Sequence, residues 1–337
     1  MKFGLTFVPY KTSNKSMEEV FRANVEQVLL AEQCGFDSAF MSEHHFLDNE
    51  MLPSPFIALA FLAAATSKIR LGTGVLLMPL HNPLRVAEDA AVLDRISGGR
   101  LILGIGQGYR PEEFKGYGRR LEDRRGLMRE GAQLVRKLWT EEHVTFRGEH
   151  FQAEGTNLTP KPLQKPSPPI WVAAKKRRAV ELAAEIGDAW YADPITPLPM
   201  IVHNKAHWRT ALAAHGKDEK KQTLAYYREF FVGDDDESAW RAGSPGLMGE
   251  YGFYLSVNHL VDDEGVPIAS NRTDRVEALV RERCTIGSPK HCLEHLGRIR
   301  ETLDPSYMVL KMGHAAIAPE QVKRSIRLAA EHILPAA

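Results

Sequence analysis

The chain has 337 residues, 44% of them hydrophobic and 26% charged, and 43 basic side chains balance 43 acidic ones to a formal net charge of +0. That composition is ordinary for a globular enzyme, lacks the basic excess that draws nucleic acid, and holds no apolar run near the ~20 residues of a membrane span. Cys34, Cys284 and Cys292 sit at neither disulfide-framework nor zinc spacing, which fits reduced thiols in a cytoplasmic protein.

Strand and helix signals alternate almost from end to end. Residues 2–8 read as a strand with no signal-peptide pattern ahead of it, closed by Pro9-Tyr10. Ser16 and Glu19 make a capping-box pattern for a helix over 17–34, with Phe21, Val25, Val28 and Leu29 on one face. Gly35 supplies its left-handed stop. Residues 37–41 form a short buried strand that ends in Glu43, His44, His45 and Phe46. A helix over 55–66 precedes an apolar strand over 69–78, interrupted by Gly72 and Gly74. Asn82-Pro83 opens a helix that Gly98-Gly99 ends, and 101–105 is the fourth strand. A loop over 111–118 leads to a long helix over 121–139. A hairpin pattern follows around Arg147-Gly148. Pro160, Pro162, Pro166, Pro168 and Pro169 make an extended tether.

Strands over 170–173, 188–191 and 223–232 then alternate with helices over 177–186 and 198–215. The stretch 233–272 breaks this rhythm. Apart from a helix near Glu237 it reads as irregular, because Gly243, Pro245, Gly246, Gly249, Gly252 and Gly265 interrupt it; such segments are usually lids or binding loops. A helix near 274–283, another opened by Gly287-Ser288-Pro289, an eighth strand over 306–311 and a closing helix over 320–333 complete the chain. Eight strands alternating with helices imply one (β/α)8 TIM-barrel domain over 1–337, with its active site at the strand C-termini and a lid before the eighth strand.

Adjacent residues on an extended segment point to opposite sides, so His44 and His45 do not serve one centre together. No further ligands stand at metal spacing, and none is expected to bind a metal. One histidine at a barrel mouth suits general acid-base work. Gly104-Ile105-Gly106-Gln107-Gly108 closes the fourth strand with residues small enough for a flat ring or a backbone to approach. Ala174-Lys175-Lys176-Arg177 lies between the fifth strand and a helix, where basic side chains and free amides suit a phosphate. Phe7, Tyr10, Phe46, Met78, Tyr109, Trp190 and Tyr191 are candidates for an apolar pocket wall.

These stretches resemble a known family. Cys34-Gly35-Phe36-Asp37, Glu43-His44-His45-Phe46, Leu71-Gly72-Thr73-Gly74, Glu88-Asp89, Leu93-Asp94-Arg95, Ser97-Gly98-Gly99-Arg100 and Gly287-Ser288-Pro289 are similar to the bacterial luciferase-like flavin-dependent monooxygenases, with the likeness to the luciferase alpha chain greatest in the first hundred residues. The resemblance implies reduced FMN and O2 as reactants, a separate flavin reductase that delivers the cofactor, a small or medium apolar organic substrate, and a homodimer through helices near the second and third strands. It implies His44 as the active-site histidine and His45 as structural or interfacial. A non-proline cis peptide at Gly74-Val75 is implied against the flavin, with the phosphate at Ala174, Lys175 and Lys176. Gly106 stands where luciferase has a reactive cysteine, and Gln107 where it has a phosphate-binding arginine; the basic run at Lys175 is expected to take over that charge. A deazaflavin coenzyme used for hydride transfer, and a non-catalytic flavin-binding barrel, are the alternatives within this resemblance.

Overall fold

The computed structural model describes residues 1–11, 15–313 and 317–336. Strands β1 (Lys2–Phe7), β2 (Ser38–Met41), β3 (Arg70–Thr73), β4 (Leu101–Gly106), β5 (Ile170–Ala174), β6 (Ala189–Ala192), β7 (Thr223–Val232) and β8 (Tyr307–Lys311) pair in parallel in chain order. β8 returns to β1, with Tyr307 opposite Lys2. The sheet is therefore a closed barrel, and helices follow the strands on its outside, the (β/α)8 arrangement expected.

Alternation along each strand sorts its side chains. Phe40, Ile102, Trp171, Ala189, Tyr191, Ala225, Tyr307 and Val309 fill the barrel, with Val75 and Tyr227 against them. The intervening residues, such as Leu5, Leu71, Leu103, Trp190, Tyr226 and Met308, join the larger core beneath the helices. At the base, Tyr307 Oη donates to Asp37 Oδ2 at 2.6 Å and shares a 2.6 Å hydrogen bond with Ser38 Oγ.

The local signals act as read. Ser16 and Glu19 close a capping box on helix Met17–Gln33, and Gly35 takes φ 84° just past its end. Asn82 Oδ1 caps helix Pro83–Ile96 by accepting from Leu84 N at 2.9 Å. The proline tether stays without regular structure. It is pinned by the buried Asp94, which accepts from Leu163 N, Gln164 N and Gln164 Nε2.

Two expectations are corrected. The loop anticipated at 111–118 contains a helix, Pro111–Gly116, with Pro111 at its first position. More importantly, 233–272 is not mainly irregular: helix Asp236–Ser256 runs through four of its glycines and Pro245. Asp235 caps it by accepting from Ser238 N at 2.8 Å. Ala239, Gly243, Leu247, Tyr251 and Leu255 then recur every fourth residue and are all buried. Each glycine costs a helix ~1 kcal/mol, whereas burying a leucine-sized side chain returns ~1.5–3 kcal/mol, so the stripe outweighs the breakers. Gly243 belongs to that stripe for a steric reason: a Cβ there would lie 3.1 Å from Phe231 Cβ on β7. The irregular part shrinks to 257–272.

Candidate active site

At the C-terminal end of β2 the chain turns outward and His44 N donates to Leu52 O at 3.1 Å. His44 Nδ1 lies 3.0 Å from Glu113 Oε1, and the same oxygen accepts from His45 N at 3.0 Å. Glu113 is fully buried and comes from the short helix after β4. The carboxylate fixes the ring through Nδ1, so that Nε2 is the nitrogen left to exchange a proton. Tyr109 meets the His44 ring edge-on at 6.1 Å, and burial, with Glu113 beside it, pushes its hydroxyl up to about 12.

His45 faces the other way, as the alternation rule requires. Its Nε2 lies 2.6 Å from Glu43 Oε1, and its Nδ1 lies 3.2 Å from Tyr117 Oη. His81 Nε2 adds a second imidazole at 2.7 Å from Glu43 Oε1. Burial pushes the Glu43 carboxyl upward, but the hydrogen bonds from His45, His81 and Leu77 N outweigh it and hold the group below the usual carboxylate range. Glu43, His45 and His81 could together hold a metal ion, their ligand atoms lying within 4.8 Å of one another. In this structure those atoms bond each other, so the cluster reads as a hydrogen-bonded brace beneath the His44 turn.

The basic turn closes β5. Ala174 O accepts from Trp190 Nε1 at 2.9 Å, and Lys175 O from Asn204 Nδ2 at 3.0 Å. Lys175 Nζ donates to His259 O at 3.0 Å, in the irregular segment, and burial pulls the ammonium's pKa down. Lys176 is exposed and takes the N-cap position of helix Arg177–Ile186, with no side-chain cap on that helix. The sequence reading put Arg177 with the lysines; its Nε instead pairs with Glu181 at 2.8 Å along the helix. Ile105 opposite Val172 in the β4–β5 register brings Gln107 to the level of Ala174.

The opposite wall carries charges that sequence reasoning missed. In a ring of eight strands β7 faces β3. Ala225, Tyr227 and Glu229 point inward from β7; Tyr307, Val309 and Lys311 do so from β8. Glu229 and Lys311 are register partners. Lys311 Nζ donates to Glu250 Oε1 at 2.5 Å and Oε2 at 2.6 Å, and Tyr254 Oη to Glu250 Oε1 at 3.1 Å. Burial lowers the lysine's pKa, but Glu250 and Glu229 outweigh it and hold Lys311 above the usual range. Glu229 is 0% exposed, and neither of its oxygens has a hydrogen-bond partner among the described residues. Burial first, and Glu250 second, push its pKa up to about 7. His259 bridges this wall to the rest of the mouth, its ring 4.6 Å from Tyr109 and 6.3 Å from Tyr254.

The sequence profile of the luciferase-like monooxygenases matches residues 1–304. The chain belongs to that family. This luciferase-like chain is 31% identical over 229 residues to the alkanal monooxygenase alpha chain of Photorhabdus laumondii subsp. laumondii, a match covering 68% of the present chain and 58% of the relative. It is 29% identical over 246 residues to the oxygenase component of the flavin-dependent trigonelline monooxygenase of Acinetobacter baylyi, covering 71% and 67%. The chain thus spans less than two thirds of the alkanal monooxygenase chain. Among solved structures, monooxygenase RslO1 from Streptomyces bottropensis superposes with a TM-score of 0.86 at 28% identity, covering 99% of both chains.

On the luciferase-like barrel the remaining sequence candidates separate. The Gly74–Val75 peptide is cis. Gly104 and Gly106 make room for the protein's own backbone and side chains, not directly for a ring. A Cβ at Gly104 would fall 2.0 Å from Thr73 O, and one at Gly106 would fall 2.6 Å from Val75 Cγ2. Of the anticipated apolar wall, Tyr191 faces the barrel interior and Tyr109 its mouth. Phe7, Met78 and Trp190 lie in the outer core, and Phe46 is 63% exposed. Trp190 and Tyr191 are adjacent on β6, so only one of them could face inward. Glu113, Glu229, Glu250, Lys311 and His259 were missed. The usable signal was a charged residue at an inward position of an otherwise apolar strand, as in Tyr227-Arg228-Glu229 and Leu310-Lys311.

Proposed function

We propose that this protein is the oxygenase component of a two-component monooxygenase that uses reduced FMN and O2 to oxygenate a small or medium organic compound with a largely apolar body. The carrying observation is the convergence on one barrel mouth of the His44–Glu113 pair and the basic turn at 174–177. The site fits a flavin phosphate: two lysines and uncapped helix amides form a donor set and, among the described residues, neither Lys175 nor Lys176 is paired with a carboxylate, Asp193 acting on Lys175 only from a distance. When bound, reduced FMN supplies the electrons for the activation of O2. Lys175 and Lys176 hold the phosphate, with Ala174 and Gln107 beside them, and the wall built from Gly74, Val75 and Gly106 flanks the ring. His44 Nε2 exchanges a proton at the mouth, and 257–272 excludes water.

A separate flavin reductase delivers the cofactor, by analogy with the relative named as an oxygenase component. The protein works in the cytoplasm, consistent with helices of which, among the described residues, none is long and apolar enough to cross a membrane. It forms a homodimer through helices Pro55–Ala65 and Pro83–Ile96, which pack on each other and expose Ile57, Phe61, Val92 and Ile96.

Titration with FMN, riboflavin and a deazaflavin coenzyme, each reduced under anaerobic conditions, tests the cofactor assignment. FMN should bind more tightly than riboflavin. Replacing Lys175 and Lys176 together by Ala should remove most of that advantage and flatten its salt dependence. Unchanged FMN affinity in the double variant overturns the phosphate assignment, and preferential binding of the deazaflavin overturns FMN.

A further inference from the structure

Among the described residues, Glu229 is the inward-facing carboxyl of the barrel strands that the chemistry above leaves unused. Three observations mark it as a ligand-binding group and not a packing accident. It sits above Tyr227 on β7, on the strand that stands opposite β3 in the ring of eight, across the barrel from Val75 and the proposed flavin wall. It is fully buried, yet both oxygens are unpartnered among the described residues; buried polar groups are nearly always hydrogen-bonded, and leaving one unmade is unfavourable. Its register partner Lys311 does not satisfy it, because the ammonium spends two of its three N–H donors on Glu250. One acceptor pair and one spare donor, both buried, therefore lie on neighbouring strands among the rings of Tyr227 and Tyr254.

A hydroxyl group matches that pattern. Its O–H donates to the Glu229 carboxylate while its oxygen accepts from Lys311, and a flat apolar body lies among Tyr227, Tyr254 and Tyr191. An aldehyde or ether offers only the acceptor half, and a carboxylate would place a third anion beside Glu229 and Glu250.

We propose that Glu229 and Lys311 form the polar anchor of the substrate chamber, and that the substrate is a hydroxylated, largely aromatic compound held by its hydroxyl against the β7–β8 wall. This rests on the reading that the barrel mouth is the active site, and gives the substrate class that reading leaves open. Glu229 is a binding and positioning residue; it forms a hydrogen bond to the substrate and no covalent one.

The test compares 4-methylphenol with toluene, two ligands of one shape that differ by the hydroxyl, on the full-length chain with and without FMN. The parent should bind 4-methylphenol at least ~10-fold more tightly than toluene. Glu229→Leu should bring the two within ~3-fold, while Glu229→Gln, which keeps an acceptor, should retain part of the preference. Carbon-13 labelling of the glutamate side-chain carboxyls gives a readout on the parent protein: the Glu229 resonance, assigned by its absence from the Glu229→Gln spectrum, should move on adding 4-methylphenol and stay still with toluene. Equal affinities in the parent, a preference that survives Glu229→Leu, or an unmoved resonance overturns the anchor; the last would mean that ordered water alone satisfies the carboxyl. FMN affinity is read in the same samples. Loss of FMN binding with the hydroxyl preference intact refutes the flavin assignment and not this one.

Discussion

Replacing Glu229 by Gln isolates the energetic consequence of burying a carboxyl without a partner. In the fold this group titrates near 7 instead of near 4.5. Below pH 4.5 it is neutral in both the folded and the unfolded chain and is fully compatible with burial. As pH rises from 4.5 to 7, the unfolded chain releases its proton first, so stability falls through that window and levels off above it. At ~1.4 kcal/mol per pH unit the full loss is on the order of 3 kcal/mol. Glutamine keeps the shape and never ionises. Among the described residues, the titratable groups around this position are Glu250, Tyr251 and Tyr254 from helix Asp236–Ser256, Lys311 from β8, Cys284, and Arg228 and Tyr227 on its own strand. All are present in both proteins and cancel to first order. Urea unfolding at pH 5 and pH 8.5 should therefore show the variant gaining stability over the parent at the higher pH, by about 2 to 3 kcal/mol relative to the lower. Parallel stability profiles would refute the claim that this carboxyl is buried uncompensated.

His44→Ala should leave reduced-FMN affinity nearly unchanged while slowing O2-dependent turnover by ~10²–10⁴-fold, and Glu113→Gln should slow it less; rapid mixing of the reduced complex with oxygenated buffer measures both. Limited proteolysis should cut within 257–272, after helix Asp236–Ser256, in the free protein, with protection when FMN and a bound phenol are present; cleavage inside the helix instead would contradict its i, i+4 packing. Replacing Ile57 and Phe61 together by Glu should convert the protein to a monomer by light scattering while circular dichroism shows the protomer still folded, since both side chains are largely exposed in the protomer; its melting temperature should fall with the loss of the partner and no longer depend on protein concentration.

The order of elements was readable because each carries its own punctuation: Ser16 with Glu19, Asn82 ahead of Pro83, and Gly98-Gly99 act locally whatever the rest of the chain does. His44 and the turn at Lys175 were readable because both follow directly from strand ends. Helix Asp236–Ser256 was not, because its glycines dominate any local propensity while its buried stripe acquires meaning only against β7 and helix Val276–Arg283. Glu113 was hidden because its partner lies 69 positions away. The charges on β7 and β8 looked like ordinary strand polarity until barrel closure showed which parity of residue faces inward.

The construction of the two facing walls has a bearing on redesign. Around β3 and β4 the interior surface is set by main chain and one buried ring: added carbons at Gly72 and Gly104 would meet the Phe40 side chain at 2.3 Å and the Thr73 carbonyl oxygen at 2.0 Å. The carbonyl has nowhere to go without parting the two strands, so that wall offers almost no room for sequence exploration. The β7–β8 wall is made of long side chains on an intact ladder, and exchanging Tyr227, Glu229 or Lys311 alters the cavity's shape and polarity without touching the hydrogen bonds that close the barrel. A library aimed at new substrates should leave 72–75 and 104–106 fixed and randomise 227, 229 and 311, together with 250 and 254 on the helix above them.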